Sequence, residues 1–95
     1  MKFKYIGEVN WDSRTADKIR RKHNIRMAEV LEVCGCRRPL FYRVGRKSYA
    51  VLGQTEAGRY LLTIWKRVRK ELYFLVTARD MQDRERRQYQ KWLGR

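Results

Sequence analysis

Between Leu72 and Thr77 the chain runs apolar and β-prone, then passes through Ala78, Arg79 and Asp80 into a charged stretch whose apolar positions recur at helical spacing. That pattern predicts a strand ending at Arg79 and a helix from about Gln82 to Leu93. Met81, Glu85, Tyr89, Trp92 and Leu93 form a narrow stripe along it, with Arg84, Arg86, Arg87 and Lys91 around the rest. Asp80 and Asp83 favour the helix start by capping and by the macrodipole.

The same reading extends upstream. Lys2 to Val9 reads as a short edge strand, and Asp12 or Ser13 offers an N-cap to an amphipathic helix carrying Ala16, Ile19 and His23. Asn24 suits its left-handed end. A second helix follows from about Arg26 to Cys34 and stops at Gly35. Gly35 to Ser48 reads as a basic loop with one short strand, Leu40 to Val44, which Pro39 can begin because a first strand position tolerates a missing N–H. Three stronger strands come next, Tyr49–Gly53, Arg59–Lys66 and Leu72–Arg79, joined by tight connections at 54–58 and Arg67–Lys70. Tyr60 to Trp65 is apolar at nearly every position, so both faces of that strand should be covered. The expected fold is a single α+β domain over residues 1–95: an antiparallel meander of three to four strands with two N-terminal helices and one C-terminal helix.

Charge then narrows the function. Lys and Arg number 24 against 10 acids, a formal charge of +14, and no acid falls between Glu32 and Glu56 or between Glu56 and Glu71. So concentrated a positive charge points to a polyanionic partner, nucleic acid before a membrane surface. No apolar run approaches the ~20 residues of a membrane span, and no signal-like apolar segment follows Met1, so a cytoplasmic protein is expected. Cys34 and Cys36 stand as a lone C-x-C pair with a single histidine, which makes neither a local four-ligand zinc site nor a structural disulfide. No metal or cofactor is expected.

Metal-independent RNA cleavage needs a base for the 2′-hydroxyl, an acid for the 5′-oxygen and cations for the phosphate. Arginine supplies the last through its planar fork. Counting outward from a turn centred between Val68 and Arg69 sets Arg59 opposite Ala78 and beside Arg79, a pair that repels unless an anion lies between. The competing reading pairs each arginine with an acid such as Asp80 or Glu85. Glu85, Tyr89 and His23 are the candidates for moving protons, and each also has a structural reading: Glu85 as a partner of Arg79, Tyr89 and His23 as core. Arg86 and Arg87 on the last helix and Arg67, Arg69 and Lys70 at the turn are candidate RNA contacts. A non-catalytic, ribosome-associated or RNA-binding module with Tyr42, Tyr49, Tyr60, Trp65 or Tyr73 stacking on bases is the alternative.

At Trp11-Asp12, Arg21-Lys22-His23-Asn24-Ile25, Ala28-Glu29, Leu52-Gly53, Gly58-Arg59, Thr77-Ala78-Arg79 and Arg84-Glu85-Arg86-Arg87-Gln88-Tyr89 the chain resembles the BrnT toxins of bacterial type II toxin–antitoxin systems. The resemblance implies a RelE-like α+β fold and an endoribonuclease that arrests growth. It also implies a cognate ribbon-helix-helix antitoxin of the BrnA kind, through which the pair binds operator DNA. The matching positions carry over Arg59, Arg79, Glu85, Arg86 and Tyr89 as site candidates, with His23 beside them. Asn24 and Gln82 depart from the family pattern, and the segment from Cys34 to Lys47, with five basic residues, is unlike the acidic, proline-containing loop that the resemblance implies.

Overall fold

A computed structural model describes residues 1–94. In chain order it runs β1 (Lys2–Phe3), β2 (Gly7–Asn10), α1 (Ser13–His23), α2 (Met27–Cys34), β3 (Leu40–Arg43), β4 (Ser48–Gln54), β5 (Tyr60–Arg69), β6 (Leu72–Asp80) and α3 (Asp83–Trp92). No helix among the described residues is long and apolar enough to cross a membrane.

Local chemistry sets the helix ends. Asp12 accepts the Thr15 N–H at 2.7 Å to start α1. Asn24 ends it in the left-handed region (φ 53°, ψ 44°), its N–H donating to the Arg20 carbonyl at 3.0 Å. At the third helix, Glu85 accepts the Gln82 N–H at 2.8 Å, so Gln82 and Glu85 form a capping box at the N-terminus of α3 in place of a cap from Asp80 or Asp83, while Asp83 lies in the first turn where the macrodipole favours it.

The sheet departs from the expected meander. It has six strands in the order β1-β2-β6-β5-β4-β3, and β2 pairs parallel with β6 through Val9 opposite Tyr73, so the sheet is mixed. The segment Lys2 to Val9 is two strands, broken by a turn after which Gly7 takes φ 114°. A Cβ there would meet the Glu71 carbonyl oxygen at 2.9 Å, so glycine is required where β2 approaches the β5–β6 turn. A parallel pairing across some sixty residues leaves no local signature in a charged, four-residue strand, which is why the alternation rules miss it.

The register also differs. Leu62, and not a residue near Arg59, is opposite Arg79, and Leu61 is opposite Asp80. Strand β5 continues through Arg69, so the turn falls at Lys70–Glu71, where Glu71 takes φ 63°. Charged residues at a strand's solvent end had the composition of a loop.

Two cores flank the sheet. On one face Val51, Leu61 and Trp65 pack with Ile19, Ile25, Val30 and Val33 of the α1–α2 unit. On the other, Ala50, Leu52 and Leu62 pack with Tyr89 of α3. Both faces of β5 are thus covered, as its unbroken apolar run predicts. Beneath the first helices, the fully buried Trp65 indole N–H donates to the Thr63 hydroxyl at 2.8 Å, which donates to the Val51 carbonyl at 2.9 Å. Thr63→Val keeps the shape and leaves the indole donor without an acceptor. It should cost about 1 to 3 kcal/mol, read as a lowered urea midpoint; an unchanged midpoint contradicts this account of the core.

Candidate active site at the end of strand β6

Successive residues of a strand point to opposite faces, and the last two residues of β6 are oppositely charged. Arg79 shares a cross-strand row with Leu62, Leu52 and Leu40 on the α3 face. Asp80 shares a row with Leu61 on the face that holds α1 and α2.

On the α3 face, Arg79 and Glu85 form a two-pronged ion pair with both N–O distances at 2.7 Å. One arginine nitrogen also donates to the Asp80 carbonyl at 3.1 Å. The Arg79 side chain is 32% exposed and that of Glu85 13%. The hydrogen bonds from Arg79, above all, hold the Glu85 carboxyl below its ordinary range, with burial opposing them and the Gln82 N–H assisting. The pair lies at the N-terminus of α3, where unpaired N–H groups favour anions.

Tyr42 completes this group. It lies in the neighbouring row, Tyr42–Ala50–Ile64–Thr77, where Tyr42, Ile64 and Thr77 are half-buried. Burial first, and the Glu85 charge second, raise the Tyr42 phenol above its usual value, with Arg79 opposing. At neutral pH the site therefore pairs an ionised carboxylate with a protonated phenol beside a guanidinium. Sequence reading placed Tyr42 only as a stacking aromatic; its two-residue step from Leu40 along an alternating strand is the signal that sets it on this face.

Arg59 belongs elsewhere. It bonds Asp80 through two nitrogens at 2.7 and 3.1 Å, Glu29 of α2 at 3.3 Å, and the carbonyls of His23 and Asn24 at 3.0 and 2.9 Å. It thus fastens the C-terminal end of α1 to α2 and to β6. The expected juxtaposition of Arg59 with Arg79 is not found: the two stand on opposite faces, each paired with an acid. The Asp80 carboxyl is lowered chiefly by its hydrogen bonds with Arg59, with smaller help from the nearby His23. His23 ends α1 and so accompanies Arg59, not Arg79.

The other candidates divide in the same way. Tyr89 is 3% exposed, and its hydroxyl donates to the Arg38 carbonyl at 2.7 Å. Arg86 lies 4.4 Å from the Tyr60 ring centre, at the rim of the α3 face, while Arg87 is exposed on the same helix. Arg67, Arg69 and Lys70 sit at the other end of β5, lining a separate basic groove. Cys34 is buried, and burial with Cys36 beside it pushes its thiol up to about 12.

A mixed sheet with two helices on one face and one on the other makes this an α+β fold. The crystal structure of the Brucella abortus ribonuclease toxin BrnT matches this chain with a TM-score of 0.65 at 14% identity, covering 81% of this chain and 99% of that one. At that identity the likeness is one of fold, and it meets the fold that the sequence blocks imply. No family model and no curated protein sequence matches the chain.

The ion pair makes a pH prediction. A carboxyl lowered in the folded state contributes stability that is present above its ordinary value of 4.5 and is lost as pH falls through the lowered value. Arg79→Met should therefore lower the urea midpoint at neutral pH and flatten its decline below about pH 4.5. An acid decline as steep as that of the unaltered protein would show that Arg79 does not hold Glu85 ionised.

Proposed function

We propose that this protein is a metal-independent endoribonuclease toxin whose chemical centre is Arg79, Glu85 and Tyr42. The observation that carries the reading is the Arg79–Glu85 pair, open to solvent mainly through Arg79, on a sheet face at a helix N-terminus, in a chain with the fold of a ribonuclease toxin.

In this reading one edge of the Arg79 guanidinium holds Glu85 while its exposed edge binds the non-bridging oxygens of the scissile phosphate and offsets the charge that grows there. Glu85, ionised at neutral pH, accepts the proton of the 2′-hydroxyl as the 2′-oxygen bonds to phosphorus. Tyr42, which keeps its proton, gives it to the 5′-oxygen as the phosphorus–5′-oxygen bond breaks. The products are a 2′,3′-cyclic phosphate and a 5′-hydroxyl. Acid–base division of labour needs one ionised and one protonated group in a single site, and Glu85 and Tyr42 meet that condition at neutral pH. Arg86, stacked on Tyr60, and Arg87 flank the phosphate path, while Arg59 and Tyr89 maintain the fold around the centre.

The likeness to a toxin supports a further part of the reading. The activity arrests growth in the cytoplasm and is held in check by an antitoxin of the ribbon-helix-helix class, through which the pair reaches operator DNA.

Arg79→Lys keeps the charge and removes the two-pronged fork. It should lower RNA cleavage by about 100-fold or more and abolish growth arrest, with the melting temperature little changed. Full toxicity and full cleavage in that variant would remove Arg79 from the chemistry. Intact RNA with salt-sensitive binding by the unaltered protein would instead make this a non-catalytic RNA-binding module.

A further inference from the structure

The far end of β5 carries charge that the proposed chemistry does not use. Two hairpin tips meet there, the β3–β4 turn at 44–47 and the β5–β6 turn at Lys70–Glu71. The Arg67 N–H donates to the Lys47 carbonyl at 2.8 Å, joining the tips through the backbone. Arg43 donates to the carbonyls of Gly45 and Arg46 at 2.8 and 2.9 Å and so fixes the first turn.

Between the tips lies a groove of about 330 Å³ lined by Arg46, Lys47, Arg67, Arg69 and Lys70, with Arg43, Tyr49 and Val68 at its sides. No acid lines it. None of the ion pairs among the described residues involves any of those five cations. Like charges gathered around one groove repel one another, and a polyanion relieves the repulsion.

The chemistry of the groove selects its occupant. Tyr49 is stacked on Phe41 at 5.4 Å and meets the edge of Tyr73 at 5.4 Å, while Phe41 and Tyr73 are 5.7 Å apart. That packing holds the Tyr49 ring against its neighbours, away from an incoming base. An acidic protein would need apolar or aromatic anchors at the centre of its interface, and the groove offers one aliphatic side chain, Val68. What remains is a set of point charges suited to phosphates.

Position narrows the RNA. Arg67 is five residues along β5 from Leu62, the partner of Arg79, which is about 17 Å at the rise of a strand. Its own register partner, Tyr73, belongs to the α1–α2 face. A dinucleotide held at Arg79 does not span that separation around the sheet, whereas a folded RNA does.

We propose that this groove is a second RNA site, one that binds the phosphate backbone of a folded RNA without reading its bases and presents a distant segment to Arg79. The part concerning Arg79 rests on the ribonuclease reading above; the binding itself does not.

The test measures binding of the purified full chain to a labelled RNA hairpin across a salt series, so that it does not depend on cleavage. In the groove variant Arg46, Lys47 and Arg67 are each replaced by Gln. In a control of equal charge change, Lys18, Arg21 and Lys22 on α1 are replaced by Gln instead. The groove variant should bind about tenfold or more weaker, with the slope of log affinity against log salt reduced by about 2 to 3, while the control loses less than about threefold. Replacing Arg46 and Lys47 alone, both exposed on the turn, should give an intermediate loss if the triple variant folds poorly. Equal weakening of groove variant and control would overturn the site in favour of a diffuse positive field. Unchanged affinity in the groove variant, or equally potent displacement of the hairpin by polyglutamate of matched charge, would also overturn it, the last in favour of an acidic protein. Absence of RNA cleavage leaves this contrast intact, so the site and the chemistry fail separately.

Discussion

Most of what this molecule can do depends on the way β6 ends. A strand alternates its side chains between faces, and here the alternation falls on Arg79 and then Asp80, so one peptide step sends a cation to the α3 side and an anion to the α1–α2 side. Each is met by a partner of opposite sign from another element, Glu85 from α3 and Arg59 from the start of β5. The two pairs therefore fix the helical layers to the sheet at one common point. They are not equivalent. Arg59 directs its nitrogens to two carboxylates and to two carbonyls at the end of α1, which is the pattern of a fastener. Arg79 has one carboxylate partner and an open side.

That asymmetry is the physical ground for placing chemistry at one arginine and architecture at the other. In a partly buried ion pair desolvation offsets much of the attraction, so replacing both partners costs little while removing one leaves the other charge unpaired. Its value to function is pre-organisation: the Arg79 fork is already planar, oriented and adjacent to a carboxylate that stays ionised. Tyr42, raised by burial and by the same carboxylate, is the group to which the proposed chemistry gives the role of proton donor. The positive charge at the hairpin tips lies at the opposite end of β5, so the two proposed sites are separated along one strand: Arg79 for the reacting phosphate, the tips for the rest of the RNA.

The helices, the hairpins and the apolar central strand were legible because each has a local cause: Asp12 and Asn24 as caps, Gly58 at φ 94° in its turn, and Leu61 and Leu62 facing separate cores. The parallel β2–β6 pairing was not, because it joins distant segments through backbone groups that any residue supplies. The site was legible in its parts more than in its assembly. Arg79 and Glu85 could be singled out by spacing, and their pairing was among the readings the sequence allowed. A two-residue error in locating the β5–β6 turn was enough to seat Arg59 beside Arg79, since register propagates along the whole hairpin. Asp80, read only as a cap or a charge partner, was the residue whose face decided the matter.

The central claim is that this protein breaks RNA with its own side chains. The most direct test is to incubate the purified chain with a 5′-labelled RNA in the presence of EDTA and to analyse the new ends. The account predicts discrete fragments carrying a 2′,3′-cyclic phosphate, formed at a rate that EDTA does not change. RNA that stays intact at excess protein, or fragments that appear only when a divalent cation is restored, would contradict it.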